Sequence, residues 1–546
     1  MNEVVLQHIV MPSGIVNGID SLYSSTHSEL PVTLSPGETL DLRAHFNLVP
    51  IGVLRKNGIS KVGIHLDGEG DGSVHVFVDD ADDPSVKGSV SDTGISVDIS
   101  QGELLGITIA AGDGGYKLSG GYVSCFAEDI KEVCLALIIC TYKREDIVVP
   151  KIQRIKGYIE SVGLDDSIKT IVVDNGNTLD ISDAIHSKNL GGSAGFTRGM
   201  IEAKRQGCTH IILNDDDAVF DPEILFRTLS LLKMADDAVI GGTMLSLEEP
   251  CKVYESGALC DGPELYSLKR DVDVTTIQGN LLLTKEDKMN YTGWWYSVFP
   301  ISIIERIGYP LPFFFKEDDV EYGLRSDIGR MTICGLSVWH PVPKYDPSVN
   351  YYYVRNHLST MASHGMLNRR NIKAFISKIL LEISAYRYQG AETMISGMKD
   401  FMRGPDSVYN SCRDGPFRCS MEFKDLDELR KEDDFTSEPP RCGFFLRLIT
   451  MNGLLLPSKG CTEKEARDME TKDFYRMGKI LYSIGNGKGF IAVRKRTRTI
   501  SLVLKTLSLW SRLSVRKGGL SKRYVDALKR YSTEDSWKKL LEMDHS

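Results

Sequence analysis

Up to about residue 130, apolar and polar positions alternate in short runs such as HVFVDD, GISVDIS and ELLGITIA, separated by Gly, Asp and Pro. A period of two with turn residues between runs predicts antiparallel strands and an N-terminal β-sandwich over residues 1–130. Between 131 and 345 the pattern changes. LALIICTY, TIVVDNGN and HIILNDDDAVF are apolar runs leading into polar residues, and KIQRIKGYIESVG and AGFTRGMIEAKRQG between them carry helical spacing. This βαβαβ order predicts an α/β domain whose parallel strands lie in a sheet covered by helices on both faces. Ligands of such sheets gather at the carboxyl ends of the strands, where the polar residues of this stretch cluster. From 346 to 546, segments such as IKAFISKILLEISAYRYQ and AETMISGMKDFM predict a helical region in which little reads as strand, with a polar, loop-like part from Gly404 to Pro440.

Length and composition narrow the class. At 546 residues the chain exceeds one ordinary core, and 42% hydrophobic with 25% charged residues excludes a mainly disordered, collagen-like or disulfide-knotted protein. A net charge of −9 gives little overall attraction to nucleic acid, and no nucleic-acid partner is expected. The start, MNEVVLQHIV, lacks the features of a signal peptide, so a reduced cytoplasmic location is expected. Eleven cysteines, odd in number and without a CxxC pair, read as buried thiols. Apolar runs such as VCLALIIC fall short of the roughly 18 to 20 residues that cross a bilayer. From Lys488 to Arg530, thirteen Lys or Arg residues stand against the single acid Asp526, interleaved with Leu, Ile, Val and Trp510. This stretch fits a peripheral contact with an anionic membrane or a solvated helical face packing its leucines on its own domain, with nucleic acid a weaker third reading because no recognition motif accompanies the charge. Acidic positions from Asp67 to Asp83 lack the register of a calcium loop and read as solvated turns.

Candidate chemistry concentrates in the middle region. Asn214 to Asp217 end the strand HIIL, placing up to three carboxylates where like charge is costly unless a cation compensates it. A hard divalent ion, Mn²⁺ or Mg²⁺, bridging to a diphosphate is the simplest compensation. PFFFKEDDVEYGLR holds a second acidic cluster, with Asp318 or Asp319 turned toward the first and Glu321 paired with Arg325 on a helix. One carboxylate there, free of metal, is a candidate general base. His340 closes GLSVWH and is a candidate third metal ligand. GWWY, residues 293–296, offers aromatic faces for a sugar or for the core. NLGGSAGFTRGM, residues 189–200, places small residues before a helix, where backbone N–H groups can approach phosphate, but it matches neither the Rossmann nor the Walker pattern.

In this order, CTYKR, VVDNG, NLGGSAGFTRG, NDDD, GWWY, KEDDVEYGLR and VWH resemble the inverting glycosyltransferases of GT-A fold in glycosyltransferase family 2. The likeness is nearest to bacterial galactofuranosyltransferases of cell-wall or surface galactan synthesis, and HFNLVPIGVLRK is similar to their sandwich sequence. The resemblance implies a GT-A (Rossmann-like) catalytic domain, with Asp215 and Asp217 as the DXD pair and His340 as the further metal ligand. It implies Asp319 as catalytic base, Asp318 as its acidic neighbour, and Thr141, Arg144, Asp174, Asn189, Asp215 and Asp216 around the UDP-sugar donor. Trp294 and Trp295 fall at the acceptor site. Two positions depart from the pattern: Glu317 replaces the usual Trp before the paired aspartates, and Tyr353 stands where the best-known galactan polymerase carries a His. The expected reaction moves galactofuranose from UDP-galactofuranose to a hydroxyl of a growing, commonly lipid-linked, glycan. Alternatives are the same fold with a UDP-hexopyranose or dTDP-rhamnose, and a non-catalytic carbohydrate-binding protein. Self-association of the chain stays open.

Overall fold

The computed structural model describes residues 2–543 except 13, 26–28, 93 and 468. In the first part, β1 (Asn2–His8), β2 (Lys61–Val78) and β3 (Leu105–Ala127) belong to a seven-stranded antiparallel sheet. The two long strands pair along their whole length, with register shifts at Asp67/Gly68 and Gly70/Gly72. Such bulges bend a strand. A Cβ on Gly68 would lie 2.5 Å from the Lys117 carbonyl oxygen, so the close approach at the bend requires glycine. On either side of it, Val62 and Ile64, Val74 and Val76, Ile107 and Ile109, and Val123 and Cys125 share one core. The sandwich is therefore built from strands that pass continuously from one half to the other. Asp71 and Asp79 accept turn N–H groups, from Gly114 and from Glu103 and Leu104, as expected of turn residues.

The middle part is an eight-stranded α/β sheet. Its strands and helices follow the chain as β4 (Leu135–Thr141), α1 (Glu145–Ser161), β5 (Ile168–Asp174), α2 (Gly192–Arg205), β6 (His210–Asp215), α3 (Glu223–Leu232), β7 (Val239–Ser246), β8 (Ser297–Pro300), α4 (Asp318–Arg325) and β9 (Arg330–His340). Strands β5, β4 and β6 run parallel, β8 is antiparallel between β6 and β7, and β9 runs parallel to β7. Alternation within β4 assigns the faces. Leu135, Leu137 and Ile139 pack with Val148, Ile152 and Ile155 of α1 and Ile224 and Leu229 of α3, while Ala136 and Ile138 pack with Ala194, Met200 and Ala203 of α2. The Rossmann-like alternation expected from the pattern is present.

Beyond it, α5 (Pro347–Ser363), α6 (Arg369–Ser384) and α7 (Tyr388–Arg403) form a helical layer, followed by the short α8 (Phe444–Ile449). Then the expectation needs correction. Strands β10 (Cys461–Glu465), β11 (Lys479–Gly485) and β12 (Lys488–Val493), with Lys424–Asp425, make a four-stranded sheet where little was read as strand. CTEKE is charged and lacks apolar alternation, so it is held extended by its neighbours, pairing with β11 on one edge and sharing backbone hydrogen bonds with Phe435 and Ser437 on the other. The 36-residue α9 (Arg496–Tyr531) buries Leu502, Leu509, Leu513, Leu520 and Tyr524 in the core of the helical layer. No helix among the described residues is long and apolar enough to cross a membrane.

Candidate active site

Each carboxyl end of the central strands delivers one part of the site. Strand β6 ends at Asp215, whose N–H donates to the Trp294 carbonyl at 3.0 Å, and the Asn214 amide donates to the Trp295 carbonyl. The chain then turns, and Val219 exchanges two backbone hydrogen bonds with Trp339 of β9, at 2.8 and 2.7 Å. That bridge sets His340 beside the turn. One ligand atom from each of Asp215, Asp217 and His340 falls within 4.8 Å of the others. His340 Nε2 lies 3.0 Å from Asp217 and 3.7 Å from Asp215.

The second ring nitrogen of His340 tests whether these residues suit a metal. Nδ1 sits 2.8 Å from the Pro341 carbonyl, which can only accept, so Nδ1 carries a proton, and Nε2, which faces the carboxylates and donates to Asp217, is the nitrogen whose proton a metal would replace. Two carboxylates and an imidazole so oriented form a donor set that fits Mn²⁺ or Mg²⁺. Electrostatics agree. Burial pushes the Asp215 carboxyl up to about 6, with the nearby charges of Asp217 and Asp216 adding to the shift. Burial acts the same way on Asp217, but hydrogen bonds from His340 and Arg144 overcome it and hold that carboxyl below its ordinary range.

Asp216 faces the other way. It accepts from the Thr141 hydroxyl at 2.8 Å and from Arg144 at 2.8 Å, while the same guanidinium nitrogen reaches Asp217 at 2.7 Å. Thr141, Arg144 and Asp216 thus form one linked set beside the three candidate ligands. Asp174 ends β5 with a fully buried side chain whose oxygens accept from the N–H groups of Gly176, Thr178 and Leu179. Its carboxylate shapes the loop. Asn189 accepts from the Gly191 N–H at 3.1 Å, at the entrance to α2.

Asp318 and Asp319 open α4 behind two residues in the left-handed region, Lys316 (φ 67°) and Glu317 (φ 75°). This turn is locked from outside. Asn356 donates to the Phe315 and Lys316 carbonyls at 2.8 and 3.0 Å, and the Ser193 hydroxyl donates to Asp318 at 3.0 Å and to the Phe313 carbonyl. Gly191 (φ 92°) is pressed against the same segment; a Cβ there would meet the Phe314 carbonyl oxygen at 1.9 Å. Burial pushes both carboxyls up, and the charges of Asp318 and Glu317 carry Asp319 well above the ordinary carboxylate range.

The two tryptophans separate. Trp294 is 4% exposed and packs edge-on against Phe196 and Tyr322, so the acceptor contact expected of it is corrected to a core role that also fixes Asp215. Trp295 is partly buried, donates from Nε1 to the Gly242 carbonyl at 3.0 Å, and its ring lies 6.1 Å from that of His340. Sequence reasoning missed Lys151. This buried lysine on the apolar face of α1 donates to the Asp215 carbonyl at 2.7 Å, and burial lowers its pKa to about 7. Its position next to Ile152 and three residues after Val148 was the available signal.

Comparison with known proteins extends this geometry. No family model matches the chain. Over 408 residues, 66% of its length, the chain is 26% identical to galactofuranosyltransferase GlfT2 of Mycolicibacterium smegmatis, and over 252 residues, 42% of its length, it is 28% identical to galactofuranosyltransferase GlfT2 of Mycobacterium tuberculosis. The chain is a sequence relative of galactofuranosyltransferases. The matches span 62% and 40% of the lengths of these relatives. Among solved structures, a mannosyltransferase of Pyrobaculum calidifontis aligns with a TM-score of 0.29 at 12% identity, covering 51% of this chain and 78% of that one.

Set beside these relatives, the two departures from the family pattern share one neighbourhood. Glu317 is 3% exposed, and its carboxylate lies 2.7 Å from Nδ1 of the fully buried His357, whose Nε2 lies 2.7 Å from the Gly262 carbonyl. The Tyr353 ring stands 5.5 Å from His357, and its hydroxyl accepts from Lys378 at 2.6 Å. The positively twisted Lys316–Glu317 turn that presents the aspartates is thereby tied to α5.

Proposed function

We propose that the protein transfers galactofuranose, with inversion, from UDP-galactofuranose to a hydroxyl of a growing glycan. The observation that carries this reading is the convergence of Asp215, Asp217 and His340, from two strand ends, in an α/β site that also holds the paired carboxylates Asp318 and Asp319. The similarity to galactofuranosyltransferases supports the donor sugar. In this reading Asp215, Asp217 and His340 hold Mn²⁺ or Mg²⁺, which supplies Lewis-acid stabilisation of the diphosphate leaving group when bound. Thr141, Arg144, Asn189 and Asp216 surround the nucleotide, Asp174 acts through the loop it holds, and Trp295 borders the sugar.

Asp319 acts as general base. Its carboxylate removes the proton from the acceptor hydroxyl as that oxygen attacks the anomeric carbon from the face opposite UDP, so one bond forms as the other breaks. The upward shift of this carboxyl, caused by burial and then by Asp318 and Glu317, makes it a stronger base than a solvated aspartate. Asp318, held by Ser193, supplies part of that shift and stays on the loop side. A lipid-linked acceptor would bring the enzyme to the inner face of the cell membrane, with the basic outward side of α9 toward anionic headgroups.

The test is a donor screen. Purified protein is incubated with each nucleotide sugar and a panel of synthetic galactosyl acceptors, with nucleotide release measured and product linkage read by NMR. UDP-galactofuranose is expected to be consumed, with EDTA suppressing release. Consumption of a UDP-hexopyranose or dTDP-rhamnose instead would replace the donor, and sugar binding without release would leave a carbohydrate-binding protein.

A further inference from the structure

The short helix α8, sequence FFLRLI, contains no buried residue although five of its six positions are apolar. Phe445 is 78% exposed and Ile449 72% exposed, and Phe444, Leu446 and Leu448 are exposed as well. Past the following turn, Leu455 is exposed too. A surface helix ordinarily hides one apolar stripe and turns a polar face outward. This helix exposes apolar side chains all round, and a contiguous patch of this kind marks an interaction site.

Its root is fixed. Leu454 is buried, and Arg494 donates to the carbonyls of Leu454 and Leu456 while Arg496, the first residue of α9, donates to the Leu456 carbonyl at 2.9 Å. The projection therefore rises beside the start of α9. From there Ile500, Leu504 and Leu507 form an exposed stripe at i, i+4 and i+7 on the outward face of α9, opposite the leucines buried in the core. Along the two stretches themselves the charge has one sign. No acid lies between Arg441 and Cys461, nor in α9 before Asp526, while Arg441, Arg447, Lys459, Arg496 and Lys505 lie in these stretches; the acids beside them in space are Glu392, paired with Arg498, and Glu470, paired with Lys472.

We propose that α8 and its turn insert into the interfacial layer of an anionic lipid bilayer, with the outward stripe of α9 lying against the headgroups beside it. Shape favours lipid over protein. A partner surface covers one side of a helix, whereas side chains exposed on every side of a projection are all removed from water only by a medium that closes around it. Scale agrees, because six helical residues span about 9 Å and interfacial segments sink about 5–10 Å. Charge argues against a second copy of this chain on the same patch, since two cationic rims would face each other. The inference deepens the membrane contact proposed above and is independent of the transfer chemistry.

Flotation of the full chain with phosphatidylcholine vesicles, with and without phosphatidylglycerol, tests it. Wild type is expected to float with the anionic vesicles and far less with the neutral ones. The double variant F445S/I449S is expected to lower the partition coefficient by roughly 30-fold or more, and R441E/K459E to abolish the preference for phosphatidylglycerol. Both variants should keep the thermal midpoint of wild type and its UDP release with a water-soluble acceptor, a readout that reports the transferase reading separately. Wild type that fails to float, equal flotation of F445S/I449S, or equal binding to neutral and anionic vesicles would overturn the proposal. So would sedimentation velocity showing self-association that F445S/I449S removes, which would assign the patch to a second copy.

Discussion

In the proposed mechanism Asp319 carries opposite demands on stability and catalysis. Burial raises its carboxyl above the ordinary range, with Asp318 and Glu317 adding to the shift, so the folded chain binds its proton more tightly than the unfolded chain does. The stabilisation that follows is complete below the ordinary aspartate value and is lost as pH rises through the raised folded value. Asp319→Asn removes this loss. The variant should show a higher unfolding midpoint than wild type at neutral pH, with a flatter dependence on pH, while turnover falls roughly 10²- to 10⁴-fold. Calorimetry across pH together with UDP release checks both halves. In the proposed mechanism His340 has the contrasting role of a metal ligand, its ring oriented through Pro341. His340→Ala should lower metal affinity by more than the roughly 10- to 100-fold that follows loss of an orienting outer partner, read by titrating metal stimulation of UDP release.

At the scale of elements, the basic stretch near the C-terminus resolves into a helix with two different faces. Its leucines pack on their own domain, as one sequence reading of it expected, and its cations with Leu504 and Val515 point outward. Leu513→Ala should cost about 2–5 kcal/mol in denaturant unfolding, whereas Val515→Ala, at an 84% exposed position, should change stability by no more than about 0.5 kcal/mol. The α/β elements were legible because their apolar runs and helical spacings agree with the final packing. Strand β10 was not, since its stability comes from β11 on one edge and the Phe435–Ser437 segment on the other, which no local pattern encodes. Helix α1 also begins earlier than its apolar spacing suggested, at Glu145, with Pro150 inside it. The acidic first turn of Glu145 and Asp146 complements the helix dipole there.

Across the whole molecule, the first sheet is joined to the α/β part by polar contacts between residues far apart in the chain. Glu223 of α3 accepts from the His8 N–H at 2.7 Å and from the Tyr158 hydroxyl at 2.5 Å, and lies 3.3 Å from Arg227, which in turn donates to the His8 carbonyl. Glu223→Ala leaves a buried guanidinium without its carboxylate and should destabilise the protein by about 3–5 kcal/mol, seen as a lower thermal midpoint. The sequence offers only the i,i+4 spacing of Glu223 and Arg227, because the other partners of Glu223, Tyr158 and His8, are 65 and 215 positions away. By itself the sequence determined the alternation of strands and helices, the placement of carboxylates at strand ends and the resemblance to a family, since each rests on local periodicity or short motifs. Tertiary structure alone decided that Val219 and Trp339 pair to bring His340 to Asp217, that Trp294 belongs to the core, and that α8 stands clear of it. Those outcomes depend on which surfaces meet in three dimensions, where the burial of one side chain is fixed by neighbours distant in the chain.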